Sequence, residues 1–164
     1  MDGYRIGIGA EIAPLARTFF ATFSRFEFAL KRGDFALGEI GKPANPNWDA
    51  FAAKLGQSFF LEIQAAKAAA IFFDKPPKKL MVKGGGDVDF EEVPVAVNAQ
   101  QLFEAVRLVR NNLFHGEKVY VGKRDEDLMN AGLSVLDAAF AAATQIRDCD
   151  RMTMAFAYAP VNPH

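Results

Sequence analysis

Aromatic and aliphatic side chains recur at helical spacing near the start of the chain, and this pattern constrains the fold more than any other feature. The apolar positions follow one another at spacings of four, four, three and four residues: Leu15, Phe19, Phe23, Phe26 and Leu30. All of them lie on one face of a helix, which we predict over residues 14–32. Proline suits its first turn, and Gly33 suits its exit.

Three more segments carry a comparable apolar stripe. The second helix is predicted to begin after the N-cap Asn47 and to end before Pro76, the third to span about 99–114, and the fourth about 125–146. Their expected buried positions are Trp48, Phe51, Leu55, Phe59, Ile63, Ala66, Ala70, Leu102, Val106, Val109, Leu113, Leu128, Val135, Leu136, Ala139 and Phe140. Four amphipathic helices predict an all-α four-helix bundle, and 164 residues are most simply one domain over residues 1–164.

Two segments depart from the helical pattern. Residues 75–97 combine a lysine group, three consecutive glycines and an acidic run, so we predict an exposed excursion between the second and third long helices. It is either a loop or a short hairpin that turns at the triglycine. Apolar residues alternate at Met152, Met154, Phe156 and Tyr158, which predicts an extended C-terminal tail over 151–164.

Composition excludes several classes of function. Nineteen basic and twenty acidic residues give a formal net charge of −1, so bulk charge does not favour nonspecific binding to nucleic acid or membranes. The single cysteine, Cys149, rules out an intramolecular disulfide and a multi-cysteine metal site. We expect no metal and no cofactor. The chain has no long apolar segment and its first ten residues do not resemble a signal peptide, so we expect a cytoplasmic protein that does not enter a membrane.

The stretch Arg110-Asn111-Asn112-Leu113-Phe114-His115-Gly116 carries the residue types that phosphodiester chemistry requires. A guanidinium binds a phosphate bidentately, and an imidazole transfers protons near neutral pH. Side chains five residues apart on a helix diverge by about 140°, so Arg110 and His115 converge only if the helix ends between them. Gly116 is the expected terminator, and Asn111 shares the face of His115, where it can orient the imidazole or an oxyanion.

The surrounding sequence is locally basic. Asn112, Arg107 and Lys118 are the further candidates for contacts with RNA or phosphate, and the lysines of 75–83 could extend the same patch. An arginine and a histidine near a helix end also occur as a C-terminal cap with a solvated face, and spacing alone favours that interpretation. Glu27 could pair with Arg107 or Arg110 from a neighbouring helix, although a surface pair with Lys31 is the simpler expectation.

The motif and its context resemble the HEPN superfamily (higher eukaryotes and prokaryotes nucleotide-binding), whose all-helical domains carry an arginine, often a following polar residue, and a histidine four to six positions later. Arg110, Asn111 and His115 match this signature near the end of the penultimate long helix. The resemblance covers about residues 14–147 and leaves the 75–97 excursion and the tail unexplained.

The resemblance implies a metal-independent endoribonuclease that acts as a homodimer, as the toxin of a toxin–antitoxin pair or as a component of a defence system. His115 would assist attack of the ribose 2′-hydroxyl or protonate the leaving oxygen, Arg110 would stabilise the charge on the phosphate, and Asn111 would position either group. The implied partners are RNA, a second copy and an antitoxin protein. The alternative is a non-catalytic HEPN module that binds a nucleotide, RNA or a protein partner.

Overall fold

A computed structural model describes residues 14–114 and 122–158, which are mostly helical, as the periodicity predicts. The long helices are α1 (Pro14–Arg32), α2 (Trp48–Ala65), α4 (Ala99–Phe114) and α5 (Lys123–Ala143), and the short ones are α3 (Ile71–Asp74) and α6 (Asp150–Ala157). The predicted bounds of α1 and α4 are confirmed, and α5 begins and ends two to three residues earlier than expected. α1 packs against α5 and α6, and α2 packs against α4 and α5.

Aromatic rings fill the centre of these helix contacts. Trp48 lies between Phe23 of α1 and Phe103 of α4, with ring centroids 5.4 and 5.3 Å away. Phe26 continues the cluster and meets the edge of Phe156 from α6 at 5.0 Å. Since all but Phe156 are fully buried, the phenylalanines of the stripe are core residues, and their apolar area is the main stabilising contribution at this position.

The exit from α1 differs in detail from the prediction. Asp34, not Gly33, takes the left-handed conformation, with a φ of 72°. The amide of Phe35 then closes the helix by donating to the carbonyl of Leu30 at 3.0 Å. Gly33 is required for a different reason, since a Cβ there would collide with the backbone of Met152 at the start of α6.

The second helix is shorter than predicted. Asn47 caps it as expected, because its side chain accepts from the amide of Ala50 at 3.0 Å. The helix bends at Gly56, whose φ of 75° lies in the left-handed region, and it ends at Ala65, because Ala66 is extended. A 3₁₀ turn over Lys67–Ala69 and the short α3 follow, and this change of direction buries Phe72 completely. The predicted continuation towards Pro76 was wrong, because a break at Ala66 lets the large ring of Phe72 reach the core.

The excursion contains the hairpin that was one of its two predicted forms. Strands β3 (Lys79–Val82) and β4 (Val88–Glu91) pair antiparallel, and the glycines of 84–86 make the turn. Gly85 and Gly86 have φ values of 78° and 82°, which glycine adopts without strain. A second pair of very short strands, β1 (Ala36–Leu37) and β2 (Asn45–Pro46), joins α1 to α2.

The prediction of an extended tail over 151–164 was wrong for residues 151–157, which lie in α6; residues 159–164 lie outside the described part of the chain. Met152 and Phe156 are four residues apart and face the core, whereas Met154 and Tyr158 are 69% and 70% exposed. Within the alternating pattern of four apolar residues, the two that are four positions apart therefore lie on one face of a helix. Arg25 completes the helix, since its guanidinium donates to carbonyls of the last turn.

Candidate functional site

The candidate motif lies where α4 ends. The helix continues through Phe114, four residues beyond Arg110, and α5 begins at Lys123. Residues 115–121 between them lie outside the described part, and so do the predicted site residues His115 and Lys118 and the predicted helix terminator Gly116. The described part of the site is therefore the last turns of α4 and the first turn of α5.

Arg110 is held against the aromatic core. Its guanidinium carbon lies 5.7 Å from the centre of the buried Phe23 ring, and its Nη1 donates to Oδ1 of Asn111 at 3.0 Å. A cation over an aromatic face gains about 0.5–2 kcal/mol, depending on how far it is desolvated. The arginine is half-buried. These two contacts hold the guanidinium beside Phe23 of α1 and Asn111 of α4, so it has protein partners that orient it before any ligand binds.

The amide oxygen of Asn111 accepts from Nη1 of Arg110, whereas the predicted partner His115 lies outside the described residues. Its amide nitrogen keeps two N–H donors, and the side chain lines a groove between α4 and the hairpin. Asn111 therefore orients the cation and still has donors for an anion.

Arg107 is exposed and lines the same groove, which has a volume of about 530 Å³. Among the described residues that line the groove, Lys79 is the other cation, and the carboxylates of Glu91, Glu92 and Glu104 line it as well. The groove therefore has mixed charge, which does not favour a polyanion. Arg107 and Asn111 share it, whereas Arg110 lies on the side of α4 that faces α1.

The hairpin folds its acidic run onto its own lysines. The register pairs Lys79 with Glu91, Lys83 forms an ion pair with Glu91, and Lys78 lies 3.7 Å from Glu92. These carboxylates offset the charge of the lysines of 75–83, so the lysines add less to the predicted basic patch than expected. Exposed ion pairs of this kind contribute little to stability, but they reduce the positive charge that the hairpin presents to a ligand.

Two side chains hold the base of the hairpin next to the motif. Asn112 donates from Nδ2 to the carbonyl of Lys78 at 2.8 Å, and Arg124 of α5 donates from Nη2 to the carbonyl of Pro76, also at 2.8 Å. Asn112 and Arg124 flank residues 115–121 on either side. Asn112 was predicted to contact RNA or phosphate, and its bond to the hairpin was not predicted. The two residues are 34 positions apart, and nothing in the local sequence indicates the contact.

Neither expected pairing of Glu27 is formed: among the described residues it makes no ion pair with Lys31, Arg107 or Arg110. Cys149 is fully buried, and burial raises the pKa of its thiol, which disfavours a nucleophilic thiolate.

Within residues 14–114 and 122–158 no cluster of histidine, cysteine or acidic side chains could hold a metal ion. Across the same ranges no helix is long and apolar enough to cross a bilayer. Comparisons of the chain with protein-family models, with curated proteins and with solved structures found no match.

Proposed function

We propose that the protein is a metal-independent RNA endonuclease of the HEPN type, with Arg110 and His115 as its catalytic residues. The observation that carries the proposal is the state of Arg110, whose guanidinium is oriented at the end of α4 by the Phe23 ring and the Asn111 amide. A cation oriented before binding stabilises developing phosphate charge without a reorganisation cost at the moment of reaction. The resemblance in the sequence supplies the rest of the motif.

The reaction is an internal transesterification. His115 accepts the proton of the ribose 2′-hydroxyl, the 2′-oxygen forms a bond to phosphorus, and the bond from phosphorus to the 5′-oxygen breaks. A protonated imidazole gives its proton to that leaving oxygen. Arg110 neutralises the additional negative charge on the non-bridging oxygens, and Asn111 keeps the guanidinium in place. The products are a 2′,3′-cyclic phosphate and a free 5′-hydroxyl.

The acid and the base act in the same turnover, so two imidazoles serve this reaction better than one. A two-fold axis supplies the second imidazole from the same residue of another copy. If the site is composite, mixing wild-type protein with a His115→Ala variant under conditions of subunit exchange makes activity follow the square of the wild-type fraction. Activity that falls in direct proportion to the wild-type fraction would show that each copy works alone.

The function is tested with a labelled single-stranded RNA in excess EDTA and with the same sequence carrying 2′-O-methyl groups throughout. Cleavage of the first, with a 2′,3′-cyclic phosphate terminus, and survival of the second are expected, because methylation removes the nucleophile. Arg110→Lys keeps a charge but loses the planar fork, so we expect about 100-fold slower cleavage. Arg151→Lys, on an exposed arginine of α6, is the matched control and should keep the wild-type rate.

The second candidate function is a non-catalytic module that binds a protein partner, which we infer from the groove beside Asn111. Its three carboxylates, among them Glu104, suit a basic partner segment better than RNA. Absence of RNA cleavage under every condition, together with saturable binding of a basic partner that Glu104→Gln weakens, would favour this function over the first.

A further inference from the structure

A second cavity lies beside the candidate motif, between the base of the hairpin, the end of α4 and the start of α5. It has a volume of about 300 Å³, and we call it the hairpin-base pocket. The residues that line it include Pro77, Lys78, Phe90, Asn112, Leu113 and Arg124. Asn112 and Arg124 also donate to the backbone carbonyls of Lys78 and Pro76. The same hydrogen bonds that attach the base of the hairpin to α4 and α5 therefore shape the pocket.

The walls of the pocket suit a flat, aromatic ligand. Phe90 is half-buried on β4 and lies among aliphatic side chains, Leu113 among them. A volume of this size lies at the lower end of small-molecule sites and fits one nucleoside unit, not a folded partner element. Proteins that recognise single-stranded RNA hold unstacked bases on aromatic side chains in this way.

The polar groups around the pocket suit a nucleotide. Lys78 and Arg124 provide two cations. Glu92 lies 3.7 Å from Lys78, but the two side chains are 86% and 48% exposed, so a phosphate can replace this loose pair. The buried Asp125 also lines the pocket, where its carboxylate accepts from the amide of Gly122 and caps α5. Asn112 donates one N–H to the backbone carbonyl of Lys78, and its amide oxygen can accept from a base amino group.

The pocket is also in the right place along the chain. Asn112 and Leu113 line it, and they precede the candidate catalytic His115 by three and two residues. We propose that the hairpin-base pocket binds one unpaired nucleobase of the RNA, stacked on Phe90, next to the phosphate that is cleaved. This assignment rests on the proposed ribonuclease function, and it makes the hairpin a determinant of where RNA is cut.

The test separates base binding from cleavage. A fluorescent 2′-O-methyl oligonucleotide without secondary structure is not cleaved, and its anisotropy measures binding to each variant. Phe90→Leu should weaken binding about tenfold, whereas Phe90→Trp should retain it because the larger ring still stacks. Phe28→Leu is the matched control, since Phe28 is a half-buried phenylalanine of α1 that does not line the pocket. It should bind as the wild type does.

A second variant, which changes charge only, tests the pocket even if Phe90→Leu disrupts the hairpin. Lys78→Gln leaves the carbonyl that accepts from Asn112, so the fold is kept while one cation is removed. The slope of log K against log salt should become shallower by about 0.7, the value for one phosphate contact on a single strand. Lys79→Gln, on the neighbouring residue that lines the other groove, should leave the slope unchanged.

The outcomes distinguish the pocket from the function. If wild-type protein cleaves unmodified RNA but Phe90→Leu binds as tightly as the wild type, or Phe28→Leu is weakened equally, the pocket assignment is wrong and the ribonuclease stands. If the predicted binding pattern holds while no RNA is cleaved, the pocket is correct and the proposed catalysis is wrong. Failure of the wild type to bind the oligonucleotide at all overturns the pocket assignment.

Discussion

Replacing Arg25 with methionine tests how the last helix is attached. Nε of Arg25 donates to the carbonyl of Phe156 at 2.7 Å and Nη2 to that of Ala155 at 3.0 Å, and Nη2 also reaches the carbonyl of Tyr158. These carbonyls belong to the end of α6, where the backbone has no helical partners and the helix dipole is negative. Methionine keeps much of the alkyl volume and removes every donor.

The expected loss follows from these contacts. A hydrogen bond from a charged donor contributes about 1.5–3 kcal/mol, and the half-exposed position of Arg25 reduces the sum of its bonds to about 2 kcal/mol in the free energy of unfolding. For a chain of this length that loss lowers the Tm by roughly 4–8 °C. Urea denaturation measures the free energy, and hydrogen exchange should show faster exchange at the amides of α6.

Arg151→Met is the matched control, because Arg151 pairs with Asp34 at 2.5 Å while the two side chains remain 69% and 57% exposed. Its loss should stay below about 0.5 kcal/mol. Equal losses in the Arg25 and Arg151 variants, or unchanged exchange in α6 when Arg25 is replaced, would refute this account of how α6 is held.

Three further predictions concern packing and titration. Gly33→Ala pushes a methyl group into the backbone of α6 and should lower the free energy of unfolding in urea by about 2 kcal/mol or more. Gly84→Ala, whose methyl group contacts no other atom, should change it by less than about 0.5 kcal/mol. Equal effects would show that α1 and α6 do not approach closely at Gly33. The Cys149 thiol, whose pKa burial raises, should react with iodoacetamide at pH 8 roughly 100-fold slower in native protein than in denaturant, and comparable rates would show that it is accessible. The hydrogen bond and charge of Lys54 lower the pKa of the Asp148 carboxyl. The pair therefore stabilises the fold at pH values above the ordinary aspartate pKa, and this stabilisation is lost as the pH falls through the lowered pKa. An NMR titration should show this pKa rising in Lys54→Met, and an unchanged pKa would mean that the pair does not form in solution.

Helical periodicity predicted the bounds of α1 and α4 but not the end of α2. The apolar stripe of α2 continues to Ala70, although the helix ends at Ala65. Short elements were harder to predict. In α6 the alternating residues 152, 154, 156 and 158 fit a strand, yet burial of the pair at 152 and 156 against α1 and α5 favours a helix.

Contacts between distant segments were not predictable from one sequence. Arg25 and the carbonyl of Phe156 are 131 residues apart, and Arg124 and the carbonyl of Pro76 are 48 apart. Backbone acceptors have no residue-type signal, so only the fold reveals these bonds. Arg110 was predictable as a candidate phosphate ligand from its motif, whereas its contact with Phe23 joins residues of two different helices and only the fold reveals it.

If Arg110 and His115 cleave RNA without a metal, the first-order rate of cleavage of a single-stranded RNA in excess EDTA reports their action. Three proteins are compared: wild type, His115→Ala and His164→Ala, the last removing the other histidine of the chain. We expect cleavage by wild type and a rate within about twofold of it in His164→Ala. In His115→Ala we expect a loss of about 100-fold or more, since general acid–base catalysis contributes about 10²–10⁴. Cleavage that depends on added Mg²⁺, or an undiminished rate in His115→Ala, would contradict this mechanism.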